Sequence, residues 1–209
     1  DIQILSELSA VCMYQRGIDY GIIPHAIDDV PTALISIGWS TKRHPAPEFS
    51  VGKNGLVAVK RLEFGDVCDN ALTRHREAVI TRKTAEEAAD FVMNTLPSCG
   101  AKRLAVHCSA GISRSSATAA AASSFLWGDD IWAFMRPTTF GPNITVYTRI
   151  MKALGLLRND DDVHLAYAKH EFAEWAYRGD NWARSSYNVD NFEMEKARNY
   201  HLNQIESFW

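Results

Sequence analysis

Apolar positions along this chain fall first into short runs and later into helical spacing. "IQILS" at residues 2–6 has the length of a short strand, and the segment after it to about Gly21 follows neither period cleanly. "TALISIG" (32–38) is a stronger strand, apolar and partly β-branched, closed by a glycine. Prolines, glycines and charges mark 39–55 as a surface loop. "LVAVKRLEF" (56–64) supplies the next strand, and "GDVCDNALTRHREAVIT" begins as a loop with room for a short helical turn. Thr84 with Glu87 fits a capping box, opening a helix through "AEEAADFVMNTL" up to Pro97. "RLAVH" (103–107) is a short buried strand, and "RSSATAAAASSFLW" (114–127) is a helix whose alanines permit close packing on a sheet. A short helix around "DDIWAFM" leads to "RPTTFGPN", with Pro142 near the start of a last helix in "NITVYTRIMKALGLL".

Strands alternating with helices predict an α/β fold, a mostly parallel central sheet flanked by helices, over residues 1–157. After Leu157 the character changes. "RNDDD" is a polar break, and 163–209 hold Trp175, Trp182 and Trp209 with two amphipathic stretches, "VHLAYAKHEFAEWAY" and "NFEMEKARNYHLNQIESF". Residues 158–209 are expected to form a helical C-terminal extension packed on the main domain, a partner-binding role being the alternative.

Composition narrows the class. With 22 Lys and Arg against 25 Asp and Glu, the net charge of -3 does not suggest an electrostatic nucleic-acid binder, although a local basic pocket stays open. No apolar run approaches the roughly 20 residues of a membrane span, and no signal peptide is expected. Cys12, Cys68, Cys99 and Cys108 show no C-x-x-C pairing, which fits reduced thiols in a cytoplasmic setting rather than a zinc site or disulfide framework. His25, His44, His164, His170 and His201 are scattered and suit no metal pair. Neither a P-loop NTPase motif nor G-x-G-x-x-G is present.

The chemistry concentrates in "LAVHCSAGISRSSATAAAA", residues 104–122, a strand-to-helix turn with a thiol six residues before an arginine. Main-chain N–H groups of Ser109, Ala110, Gly111, Ile112 and Ser113 can converge there on an anion, helped by the helix dipole. Gly111 lets the backbone turn tightly, and Arg114 adds a planar fork able to hold two phosphate oxygens. The same field lowers a cysteine pKa, so Cys108 is expected to be a thiolate able to attack phosphorus. Ser115 is placed to hydrogen-bond the sulfur, and His107 to shape the loop rather than touch substrate.

The run of apolar strand, "HC", "AG", "SRS" and helix resembles the signature of the protein tyrosine phosphatase superfamily, and "HCSAGISRS" looks most like the dual-specificity branch. "RPTTFGPN" (136–143) is similar to the Arg-Pro…Pro-Asn element after that branch's signature helix, which implies a loop-bracing role for Asn143. The family's general acid is an aspartate on a loop after a strand upstream of the signature. "RLEFGD" offers Asp66 at the matching place, with Asp69 as competitor. The stretch from Asp66 to Cys108 is longer than in compact family members, and it carries a basic segment: Arg74, His75, Arg76, Arg82 and Lys83. That segment reads as a solvated helix face, with an anion-attracting rim as the alternative.

The resemblance implies a cysteine-dependent phosphatase needing no metal or organic cofactor. Its expected partner is a phosphorylated protein or peptide, phosphotyrosine first, with phosphoserine and phosphothreonine as further candidates. Inositol phosphates and RNA 5′-phosphates are rival substrates. A rhodanese-like sulfurtransferase and a non-catalytic phospho-binding module are the readings from other classes.

Overall fold

The computed structural model describes residues 1–16, 30–39, 46–66, 79–130, 133 and 140–157. In chain order these form β1 (Ile2–Ser6), α1 (Glu7–Ala10) continued by a π-helical turn (Val11–Arg16), β2 (Thr32–Gly38) and β3 (Leu56–Glu63). Then come α2 (Arg82–Asp90), a π-helical stretch (Phe91–Thr95) with the short α3 (Leu96–Ser98), β4 (Arg103–Cys108), α4 (Arg114–Trp127) and α5 (Ile144–Ala153). The four strands make one sheet in the order β1-β4-β2-β3, with every neighbouring pair parallel. The fold is α/β. The extension expected at 158–209 and most of the helix expected around "DDIWAFM" lie outside the described residues.

A parallel sheet needs cover on both faces, and the sequence of its central strands reflects that. β2 is buried along its whole length, an apolar run without alternation. Its side chains still divide by face. Ala33, Ile35 and Ile37 enter the larger core with α2, α4 and α5, whereas Leu34 enters a smaller core with Ala10, Met13 and Tyr14. β4 divides likewise: Leu104, Val106 and Cys108 join the larger core and Ala105 the smaller. β3, at an edge, alternates instead and shows Arg61 and Glu63 to solvent, charges that discourage pairing with another chain.

α4 is the central post of the larger core. Every residue from Arg114 to Ser123 is buried, which only a helix covered on all sides shows. α5 packs against both α4 and α2, and its residues 144–148, Ile150 and Met151 are buried between its neighbours. The Tyr147 hydroxyl donates to the buried Asp130 carboxylate, tying α5 to the segment that follows α4.

Two local expectations change. The segment after β1 is helical from Glu7 to Arg16, capped by Ser6, whose hydroxyl accepts from the Ser9 N–H at 3.2 Å. The capping box at Thr84 is not the start of α2. Thr81 is the cap, in extended backbone, with its hydroxyl accepting from the Thr84 N–H at 3.1 Å. Arg82 and Lys83 are good helix formers and extend the first turn upstream. Glu87 instead reaches Lys60 on β3 at 2.9 Å, which holds its carboxyl below the usual range. Thr81→Ala is therefore expected to cost about 1 kcal/mol of stability, read as a lowered urea midpoint at unchanged slope.

Candidate active site

β4 ends at Cys108, in register with Ser6 at the end of β1, and α4 begins at Arg114. The intervening loop lies at the carboxyl end of the parallel strands, where α/β sheets place their ligands. Gly111 has φ +76°, and a Cβ there would stand 2.8 Å from the Leu5 carbonyl and the Ser6 nitrogen. Only glycine lets the loop lie this close to the β1–α1 junction. The loop's carbonyls are drawn outward. Ser109 O accepts from the Glu7 N–H at 3.2 Å, Ile112 O from the Gly141 N–H at 3.1 Å, and Ser113 O from the Asn143 N–H at 3.3 Å. The Ser116 hydroxyl also donates to Ile112 O. With its carbonyls fastened outside, the turn keeps amide hydrogens for its centre, and the N–H groups of Gly111 and Ser115 bond the Cys108 sulfur.

Cys108 is buried. Burial by itself pushes a thiol up, but here it is outweighed. The Ser115 hydroxyl at 3.2 Å, the two N–H groups and the charge of Arg114 together hold the Cys108 thiol below its ordinary value. His107, also buried, shifts down to about 4. Burial is the main cause, the Cys108 backbone opposes it, and the Arg114 charge adds to it. His107 is thus a neutral ring at pH 7. Its Nε2 pairs with Ser36 Oγ at 2.8 Å, the Phe49 ring meets it edge-on at 5.4 Å, and Nδ1 lies beside the Cys108 backbone without hydrogen-bond geometry. The histidine therefore ties β4 to β2 beneath the loop.

Arg114 is only 3% exposed. Nη1 donates to the carbonyls of Gly38 at 3.1 Å and Phe64 at 2.9 Å, and Nη2 to Ser109 Oγ at 3.1 Å. Nε, also buried, has no partner, and no carboxylate pairs with the guanidinium among the described residues. A buried charge is costly without compensation, and one met only by carbonyls and a hydroxyl among the described residues can accept an anion.

Asp66 follows β3, beside the loop. Its Oδ1 accepts from Ser113 Oγ and from Asn143 Nδ2, both at 2.7 Å. Asn143 is at once the N-cap of α5, through Oδ1 to the Val146 N–H at 3.1 Å, and the link between Asp66 and the loop. Cys108, Ser109, Gly111, Ser113, Arg114, Ser115, Asn143 and Asp66 are thus brought together. Ile112 shows its side chain to solvent, and Ala110 is exposed on the loop. Asp69, Arg74, His75, Arg76, Arg136 and Pro137 lie outside the described residues. A separate cleft of about 540 Å³ between α2 and α5, lined by Arg82, Glu86, Arg149 and Lys152, contains none of these groups.

Sequence reasoning missed the groups that hold Arg114. They are the Gly38 and Phe64 carbonyls and the indole of Trp39, whose centroid lies 5.7 Å from the guanidinium carbon. The available signal was "GW" closing β2 at the carboxyl edge of the sheet. No protein-family model matches the chain, and neither curated proteins nor solved structures give a match.

Ultraviolet thiolate absorbance, taken as the difference between wild type and Cys108→Ser, is expected to titrate below an ordinary cysteine. Ser115→Ala is expected to move that midpoint upward, because the hydroxyl stabilises the thiolate. His107 binds a proton near 6.5 in the unfolded chain and only near 4 in the folded one. Its contribution is therefore complete above pH 6.5 and lost as pH falls toward 4, by about 3 kcal/mol at most. Urea unfolding at pH 7 and pH 4.5 is expected to show a smaller drop in His107→Gln than in wild type.

Proposed function

We propose that the chain is a cysteine-dependent phosphatase of the protein tyrosine phosphatase type, acting on phosphomonoesters of proteins or peptides. The observation that carries this reading is the buried guanidinium of Arg114, with no carboxylate partner and an unbonded Nε among the described residues, beside a thiol held below its ordinary pKa. A dianionic phosphoryl group answers both needs: it neutralises the arginine and offers phosphorus to the sulfur.

The proposed cycle runs on these groups. The Cys108 thiolate attacks phosphorus, an S–P bond forms, and the bond from phosphorus to the ester oxygen breaks. Asp66 gives its proton to that oxygen, which leaves as an alcohol or phenol. Arg114 and the loop amides hold the remaining oxygens as charge redistributes. Water then attacks the cysteinyl phosphate and the Asp66 carboxylate takes its proton. The S–P bond breaks, and the departing thiolate accepts the Ser115 hydrogen bond. Thiolate, guanidinium, amides and one carboxyl supply every step, so no cofactor enters the scheme.

Hydrolysis of an aryl phosphate is expected to vanish in Cys108→Ser and to fall about a hundredfold in kcat/KM in Arg114→Lys, which keeps charge but loses the fork. Asp66→Asn is expected to lower kcat about a hundredfold for esters with poor leaving groups, and much less for a phenol acidic enough to leave unprotonated. If Asp69→Asn shows that pattern and Asp66→Asn does not, the acid is Asp69. Turnover of thiosulfate, or tight phosphopeptide binding without hydrolysis, would sink the phosphatase reading.

A further inference from the structure

Two large apolar side chains stand open beside the cradle, and the phosphate chemistry uses neither. Trp39 is 37% exposed and directly follows Gly38, whose carbonyl holds Arg114. Ile112, 49% exposed, is part of the loop itself. Apolar surface left open at the rim of a polar, buried anion site marks where the rest of a ligand lies.

Trp39 is held where it stands. A Cβ on Gly38 would come within 2.1 Å of the Ala46 nitrogen, so the backbone at 38 is pressed against Ala46. From that anchor the indole lies over the guanidinium, with its centroid 5.7 Å from Cζ. Trp39 is thus both partly open to solvent and in contact with the group proposed to hold the phosphoryl oxygens.

The geometry points to Trp39 as the residue that selects aryl over alkyl phosphate esters. The inference rests on the phosphatase reading of the cradle. In an aryl ester the ring is bonded directly to the ester oxygen, so fixing the phosphoryl group on Arg114 fixes the ring at the rim. There the indole offers an aromatic partner and Ile112 a second apolar contact. Phosphoserine and phosphothreonine carry no ring to that position. They use the same cradle and leave the indole solvated. Trp39 is thus a specificity residue for phosphotyrosine, in addition to its stacking on Arg114.

The test compares full-length wild type, Trp39→Phe, Trp39→Leu and Trp39→Ala. The substrates are a phosphotyrosyl and a phosphothreonyl peptide of otherwise identical sequence, with inorganic phosphate as competitive inhibitor. The ratio of the two kcat/KM values is expected to narrow about tenfold in Trp39→Ala and Trp39→Leu, with Trp39→Phe recovering most of it. Trp39→Leu carries the comparison if the alanine variant does not fold. An unchanged ratio overturns the inference. That includes the case in which both substrates and phosphate weaken together, because the indole then acts only through Arg114. If wild type hydrolyses neither peptide, the phosphatase reading fails, and calorimetric binding of the same peptides decides the role of Trp39. Loss of phosphotyrosyl preference in the leucine variant upholds it, and equal affinities in wild type overturn it.

Discussion

A single buried cation organises this site. Arg114 begins the central helix, so its guanidinium is carried into the interior by the same burial that makes α4 the core. No carboxylate meets it among the described residues. It is solvated by carbonyl dipoles from the ends of β2 and β3 and by a loop hydroxyl. Dipoles solvate a charge without neutralising it, and that difference matters. A carboxylate in their place would neutralise the guanidinium, whereas carbonyls leave a net positive field at the loop. Three parallel strands must therefore end at the same level: β4 to deliver Cys108, β2 and β3 to deliver their carbonyls.

That field sorts the two titratable neighbours by their chemistry. Arg114 opposes a positive imidazole and favours a negative thiolate, so it lowers His107 and Cys108 alike. Burial acts in opposite directions on them, down for the histidine and up for the cysteine. At His107 burial and Arg114 agree, and a neutral ring can serve as a plain strut between β4 and β2. At Cys108 they conflict, and hydrogen bonds settle the outcome. This is why Ser115 and the amides of Gly111 and Ser115 have to reach the sulfur itself. Without them burial would push this thiol up.

The fold was legible where the pattern of residues is local. The β2 run, the alanine helix from Arg114 to Trp127 and the thiol-to-arginine loop are each written in consecutive residues, and the structure keeps them. The start of α2 was misplaced because Thr81 and Thr84 both satisfy the local capping grammar. The choice between them depends on backbone already extended at Thr81, which no short window encodes. Gly38, Phe64 and Trp39 were invisible for a different reason. Two of them act through carbonyl groups that every residue possesses, and their meaning comes from strand order, which brings residues 50 and 76 positions away in sequence to one guanidinium. Asn143 was legible by resemblance, but its bond to Asp66 is a meeting of two loops that only the folded chain makes.

The alanines of α4 complete this logic. Ala117, Ala119, Ala120, Ala121 and Ala122 are wholly buried, and their small size gives each little apolar area with which to stabilise the core. Larger side chains would bury more area but would stand the helix away from the sheet and from α5. The N-terminus of α4 is not free to move. Ser115 must lie 3.2 Å from the sulfur, and the Ser113 carbonyl must reach both the Ala117 and Asn143 amides. Displacing the helix by about 1 Å would cost the Cys108 sulfur its Ser115 hydrogen bond and the arginine its carbonyls. The composition of the helix therefore follows from the position of its first turn: the core is packed with small residues so that a charge and a thiol can be held in place.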